Sequence, residues 1–151
     1  MSYKELGYEF LHYFVDCVNL EHDRLAPCIK QDSMLTINNE ECFGENFLVF
    51  FNYIKLHNLK IESKHVLIQP IFWKNPNRIE YDGLLILASG TVNVLENGIY
   101  VNKNVHFNIT LENIMGQYYI NNMIIRLSEK SRQLQNNPFN NFRQFPAAME
   151  F

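Results

Sequence analysis

Leu95–Leu111 reads LENGIYVNKNVHFNITL. Val101, Val105, Phe107, Ile109 and Leu111 alternate with polar residues, apart from Asn102 and Lys103 near the start. That period of two marks a strand that packs on one face only. In front of it stands Glu96-Asn97-Gly98. Asn-Gly between alternating runs is the strongest short hairpin signal, because both central residues of the favoured turn need positive φ. The strand Ile99–Leu111 therefore folds back on Ile79–Leu95. Outward from this hairpin, Lys60–Trp73 precedes it and Gly116–Leu127 follows it as further strands. Asn75-Pro76-Asn77 and Glu112-Asn113 mark the other two turns. Gly90, inside its strand, predicts a bulge or bend of the kind a strongly curved sheet needs.

The amino-terminal part has a different period. Leu6, Phe10, Tyr13, Phe14 and Cys17 recur at three and four, so one apolar helix face runs from about Tyr3 to Asn19. A second, shorter helix is expected over Glu21–Lys30, with Pro27 as a break. Ser33–Asn38 is short and β-like, and Asn38-Asn39 marks a turn. Glu40-Glu41 reads as a solvated turn. After Gly44 a third helix spans Glu45–Leu56, with Phe47, Leu48, Phe51 and Ile54 inward. Helices first and a strand meander after them give an α+β domain, with the three helices packed on one face of a curved antiparallel sheet. No internal repeat is present.

The 151 residues suit one domain. A chain of this size buries about 68–70% of its unfolded surface. Twelve Phe and eight Tyr predict a core of large rings. Net charge is −3 and no basic cluster stands out, so direct nucleic-acid binding is not expected. Cys17, Cys28 and Cys42 lack zinc spacing and read as reduced, core-filling thiols, with no metal and no cofactor expected. The start MSYKELGYEF lacks the pattern of a secretory signal, and apolar runs such as Leu84–Ala88 are far short of a membrane span. A soluble, intracellular protein without a membrane role is expected.

Residues 129–151 differ in composition. Ser131–Phe151 is rich in Asn, Gln and Phe, and is expected to be a flexible, disordered extension of the domain formed by residues 1–128. Phe139, Phe142 and Phe145 recur at three, and rings of this kind suit a groove of this domain or of a partner. Catalysis would need an acid or His with a shifted pKa in a cavity. His12, His65, His106 and Asp82 are the candidates, but no spacing forces two of them together. Gly-rich phosphate loops, GxSxG, HExxH and Walker patterns are absent. The chain is therefore read as a non-enzyme with no catalytic residues.

Several segments in order carry a resemblance to a known family. They are Leu6–Phe14 (LGYEFLHYF), Leu25, Ser33-Met34-Leu35-Thr36, Gly44, Gln69-Pro70, Gly90, and Tyr118–Leu127 (YYINNMIIRL), which closes on Arg126-Leu127. In this order the chain resembles the nuclear transport factor 2-like family over Tyr3–Leu127, and most of all the small subunit of the mRNA-export receptor heterodimer. The resemblance implies a cone-shaped domain and a role in nucleocytoplasmic transport, in nucleus and cytoplasm and at the nuclear pore. It implies a larger export-receptor subunit of similar fold as partner, or a second copy in a homodimer. Arg126 with Phe107, Ile109, Tyr119 and Ile124 would lie near that partner. Tyr3, four residues before Gly7, matches an aromatic position of the Phe-Gly repeat groove, so Phe-Gly nucleoporins are implied as well.

Two other roles within the family stay open. The import member receives GDP-bound Ran through an acidic trio at the cone's mouth. The matching positions here are Asn38, Leu95 and Asn97, none of them acidic, with Glu96 nearby. An import carrier for GDP-bound Ran is the alternative, and a cone-fold enzyme or small-ligand binder is a further one.

Overall fold

The computed structural model describes residues 2–72 and 81–130. Helix α1 spans Tyr3–Asn19. Ser2 caps it, its side chain accepting from the Glu5 N–H at 3.2 Å. Leu11, Phe14, Cys17 and Val18 form its buried stripe. At its end Asn19 clamps the strand that follows later in the chain: its Oδ1 accepts from Leu59 N at 2.7 Å and its Nδ2 donates to Leu59 O at 3.0 Å. A 3-10 helix follows over His22–Cys28 with Pro27 inside it. The α-helix expected over Glu21–Lys30 is thus tighter and ends earlier, because Ile29 and Lys30 already belong to a strand.

The strands are β1 (Ile29–Ile37), β2 (Glu40–Phe43), β3 (His57–Ile71), β4 (Gly83–Glu96), β5 (Ile99–Ile114) and β6 (Gln117–Ser128). Helix α2 (Glu45–Ile54) lies between β2 and β3. The sheet order is β2-β1-β6-β5-β4-β3. One expectation changes here. The sheet is not wholly antiparallel, since β1 and β6 run parallel. Glu40-Glu41 is also not a plain turn: the turn is Asn38-Asn39 alone, and Glu40 and Glu41 pair with Ile37 and Thr36. The β5–β6 turn lies at Met115-Gly116 rather than Glu112-Asn113. Asn113 holds it in place, donating to Tyr81 O at 2.8 Å and accepting from Gly116 N at 2.9 Å. The Asn97-Gly98 turn joins β4 and β5 as the sequence predicts, with φ of 51° and 81°. The Asn75-Pro76-Asn77 turn, Trp73, Ile79 and the segment Ser131–Phe151 lie outside the described residues.

The parallel β1–β6 join depends on one buried hydroxyl. Ser33 is fully buried at a register shift between Ile29 and Met34. Its Oγ accepts from Lys30 N at 2.7 Å and donates to Ile120 O. It thereby satisfies backbone groups that the shift takes out of the ladder.

Sheet curvature has its own cause. Ile61 pairs with Gly90 and Val66 with Ala88, so Glu62 to His65 bulge out opposite Ser89. A Cβ on residue 90 would stand 1.9 Å from Lys60 O. Only glycine lets the two strands approach there.

Two outcomes are expected in urea unfolding. Ser33→Ala should cost about 1–3 kcal/mol, because it leaves the Ile120 carbonyl and the Lys30 N–H without their buried partner. Gly90→Ala should cost at least about 2 kcal/mol through backbone displacement. Midpoints equal to wild type would contradict both assignments.

Candidate functional site

The sheet has two faces, and the strand registers assign every residue to one of them. Phe107 pairs with Ala88 and Ile125, and Ile109 with Ile86 and Met123. All six are buried beneath the helices. The Phe14 ring meets Phe107 edge-on at 5.2 Å and stands 6.0 Å from Phe51, which in turn lies 6.5 Å from Phe47. These rings pack between the helices and the inner face of the sheet.

The outer face consists of cross-strand rows. One row runs Ile124–Asn108–Leu87–Leu67 across β6, β5, β4 and β3. Its two ends are apolar and open, Leu67 being 66% exposed and Ile124 44%. The next row runs Arg126–His106–Ser89 and ends at the bulge that carries Lys64 and His65. The Ser89 hydroxyl and His106 Nδ1 lie 2.8 Å apart. Lys64 pairs with Glu62 at 3.2 Å between exposed side chains, a contact worth little in water. Together the rows line a groove of about 550 Å³, with the bulge as one wall.

The residues singled out in the sequence separate accordingly. Ile124 and Arg126 sit side by side on the groove, two residues apart on β6. Phe107 and Ile109 are 2% and 0% exposed and belong to the opposite, packed face, so as placed they reach no partner of the outer face. Alternation separates the two sets correctly, but it does not say which set the helices cover. Tyr119 is half-buried near the β5–β6 turn, away from both rows, with its hydroxyl donating to Gln117 Oε1 at 2.9 Å. Leu67 and Leu87 were not singled out. Each lies in a run that is apolar at successive positions, so the sequence carries no period to mark the outward ones; the register alone does so.

Tyr3 is half-buried at the start of α1, edge-on to Tyr81 at 5.9 Å. Tyr81 lies 5.5 Å from Phe72, which is 44% exposed. The three rings form a small aromatic cluster beside the end of β3.

Of the titratable candidates, His65 and His106 share the groove, whereas His12 is exposed on α1 and Asp82 is buried at the start of β4. At the mouth, Asn38 is bound to β6: its N–H donates to Ile125 O and its Oδ1 accepts from Leu127 N, both at 3.1 Å. Glu96 is paired with Lys103, which also holds Glu129 at 3.2 Å. The hydrogen bond to Glu96 raises the Lys103 pKa, and the Glu129 bond adds to it, against a smaller opposing effect of burial. Burial pushes all three thiols upward, which makes them poor nucleophiles and fits the reading as core-filling side chains. Among the described residues no three His, Cys, Asp or Glu side chains are arranged to hold a metal ion, and no helix is long and apolar enough to cross a membrane.

No family model and no curated protein sequence matches this chain. Solved structures do. Nuclear transport factor 2 from Cryptosporidium parvum superposes with a TM-score of 0.65 at 20% identity, over 83% of this chain and 94% of that one. The yeast UBP3-associated protein BRE5 gives 0.67 at 20% identity, over 86% and 99%. Mtr2 from Candida albicans gives 0.57 at 16% identity, over 83% and 95%, and a structure of the Mtr2-Mex67 M domain complex gives 0.55 at 13% identity, over 83% and 96%. The chain therefore has the nuclear transport factor 2-like fold: helices on one side of a curved, unclosed six-stranded sheet.

The assignment of faces has a direct mutational signature. Phe107→Ala and Ile109→Ala should each cost about 2–5 kcal/mol of stability through cavities in the core. Leu67→Ser and Ile124→Ser should change it by no more than about 0.5 kcal/mol. Thermal or urea unfolding of the four variants tests this, and the reverse ranking would invert the sheet.

Proposed function

We propose that this chain is a protein-docking subunit of nucleocytoplasmic transport, the small partner of a larger mRNA-export receptor subunit with a similar fold. The observation that carries this reading is the outer face, where a largely apolar row lies directly beside a polar row that holds Arg126, with no covering element among the described residues. An apolar centre flanked by charges that fix register is the composition of a specific protein interface. Solved neighbours of the same fold include a complex of two named proteins, Mtr2 and the Mex67 M domain, and that supports a heterodimer. The ring-filled interior supports docking over catalysis.

In this reading Arg126 and Ile124 meet the partner, and Leu67, Leu87 and His106 join them. The Tyr3–Tyr81–Phe72 cluster offers ring surfaces for Phe-Gly nucleoporins, and the protein works at the nuclear pore between nucleus and cytoplasm. The alternative as a carrier for GDP-bound Ran has less support. The mouth offers Glu96 already neutralised by Lys103, and Asn38 already bound to β6.

Purification of the tagged chain from its own cells should bring down a larger subunit of the same fold in equal amount. Arg126→Glu should weaken that complex by about 2–5 kcal/mol, since it leaves an acidic partner group facing a like charge at a desolvated site. Unchanged affinity of the Arg126→Glu protein, or recovery of GDP-loaded Ran in place of the larger subunit, would overturn the reading.

A further inference from the structure

We propose that the outer groove takes a protein segment carrying a phosphorylated serine or threonine, with the phosphate held by Arg126, His106 and Lys64 and an apolar side chain, two residues away, on Leu87 and Ile124. This rests on reading the outer face as a docking surface, and it adds the chemistry of what docks there.

The first support is charge. The chain as a whole is acidic, with a net charge of −3. The groove of about 550 Å³ departs from that balance: its lining holds Lys64, Arg126, His65 and His106 and no carboxylate. An adjoining hollow of about 520 Å³ shares His65, Ser89 and His106 with it, and adds Lys60 and one acid, Glu62. Glu62 lies 3.2 Å from Lys64, but both side chains are exposed, and a pair of that kind yields readily to a stronger anion. Arg126 is exposed and forms no ion pair with an acid among the described residues. Its guanidinium keeps its N–H donors for a ligand.

The second support is the row geometry. Arg126, His106 and Ser89 are cross-strand neighbours on β6, β5 and β4. Adjacent strands stand about 4.8 Å apart, so the three span about 10 Å. The Ser89 hydroxyl meets His106 at Nδ1, at 2.8 Å, which leaves Nε2 for a ligand. A carboxylate offers one flat edge, and a single guanidinium satisfies it. A phosphate monoester brings about −1.5 to −2 charges and three acceptor oxygens that are not coplanar with one edge, so guanidinium, imidazole and ammonium can all engage it. The apolar row then sets the sequence around it. Ile124 is two residues from Arg126 and Leu87 two from Ser89, a step of about 6.8 Å along the strand. An extended segment lying along β5 repeats that step, so the residue two places from the phosphorylated one comes over Leu87 and Ile124.

The full chain supplies the test without any partner protein. Failure here leaves the export reading untouched, and failure to recover a larger subunit leaves this binding measurable. Isotope-labelled protein is titrated in NMR with a capped peptide, Gly-Gly-Leu-Gly-phosphoserine-Gly-Gly, with its serine and aspartate versions, and with inorganic phosphate. The amide signals of Ser89, His106 and Arg126 should shift with the phosphopeptide, at an affinity at least about fivefold above that for the serine and aspartate versions. Arg126→Gln and Lys64→Gln should each weaken binding at least about threefold, and added salt should weaken it too. Lys4→Gln, on exposed surface of α1, should leave it unchanged. A smaller advantage of the phosphopeptide would overturn the proposal, as would shifts confined to another surface. Inorganic phosphate binding as tightly as the phosphopeptide would mean an adventitious ion only. Vesicles containing phosphoinositide that shift the same amides, where the phosphopeptide does not, would replace the protein ligand by a membrane and so overturn it as well.

Discussion

The edge-on contact of Phe107 with Phe14 sets the sidedness of the whole sheet. A strand has a side-chain period of two, so seating Phe107 against α1 obliges His106 and Asn108 to face away. Register carries that choice sideways. His106 brings Arg126 and Ser89 with it, and Asn108 brings Ile124 and Leu87. A slip of one residue would exchange the two faces entirely, burying Arg126 and exposing Phe107. An aromatic pair contributes about 0.5–1.5 kcal/mol beyond its buried area, and the burial itself contributes more. The outer surface is thus specified from the inside.

That dependence accounts for what could be read from the sequence. The Asn97-Gly98 hairpin was legible because its signal is local: two residues that tolerate positive φ between alternating runs. Gly90 was legible because a glycine inside a strand weakens it, and so marks a bend or a close approach of backbone. The parallel β1–β6 pair was not, since its stability comes from contacts far apart in sequence, such as Ser33 with Ile120. β2 was hidden because Glu40 and Glu41 are both exposed, so burial leaves no period in them. At the site, Arg126 and Ile124 were found, whereas Phe107 and Ile109 were assigned to the partner side. Alternation names two sets of residues, but the choice of covered set belongs to α1 and α2.

The exposed edge of the sheet is managed by contacts of the same kind. β3 is an edge strand, and unpaired backbone groups on such a strand invite other strands to join. Asn19 occupies both backbone groups of Leu59, and the Glu62–His65 bulge breaks the ladder further along. The bulge therefore serves twice. It makes strand addition at the edge difficult, and it raises a wall with Lys64 and His65 beside the outer rows. Gly90 is the residue that permits it, because any larger side chain would meet Lys60 O. A feature of the backbone so becomes part of the recognition surface.

The apolar row is also small enough to constrain what can bind it. Fully burying Leu or Ile side chains gains about 1.5–3 kcal/mol each, and on this row Leu67 and Ile124 are exposed while Leu87 is half-buried. Joining two separate molecules costs roughly 4–15 kcal/mol in lost freedom of motion. Three such residues gain about 4.5–9 kcal/mol at most, in the lower half of that cost, so burial alone leaves little surplus for an independent partner. A stable complex must therefore draw on the adjacent row, where Arg126 and His106 can meet acceptors as they lose water, and on surface beyond the groove. The composition of the outer face thus asks complementary charge of any second protein that docks there.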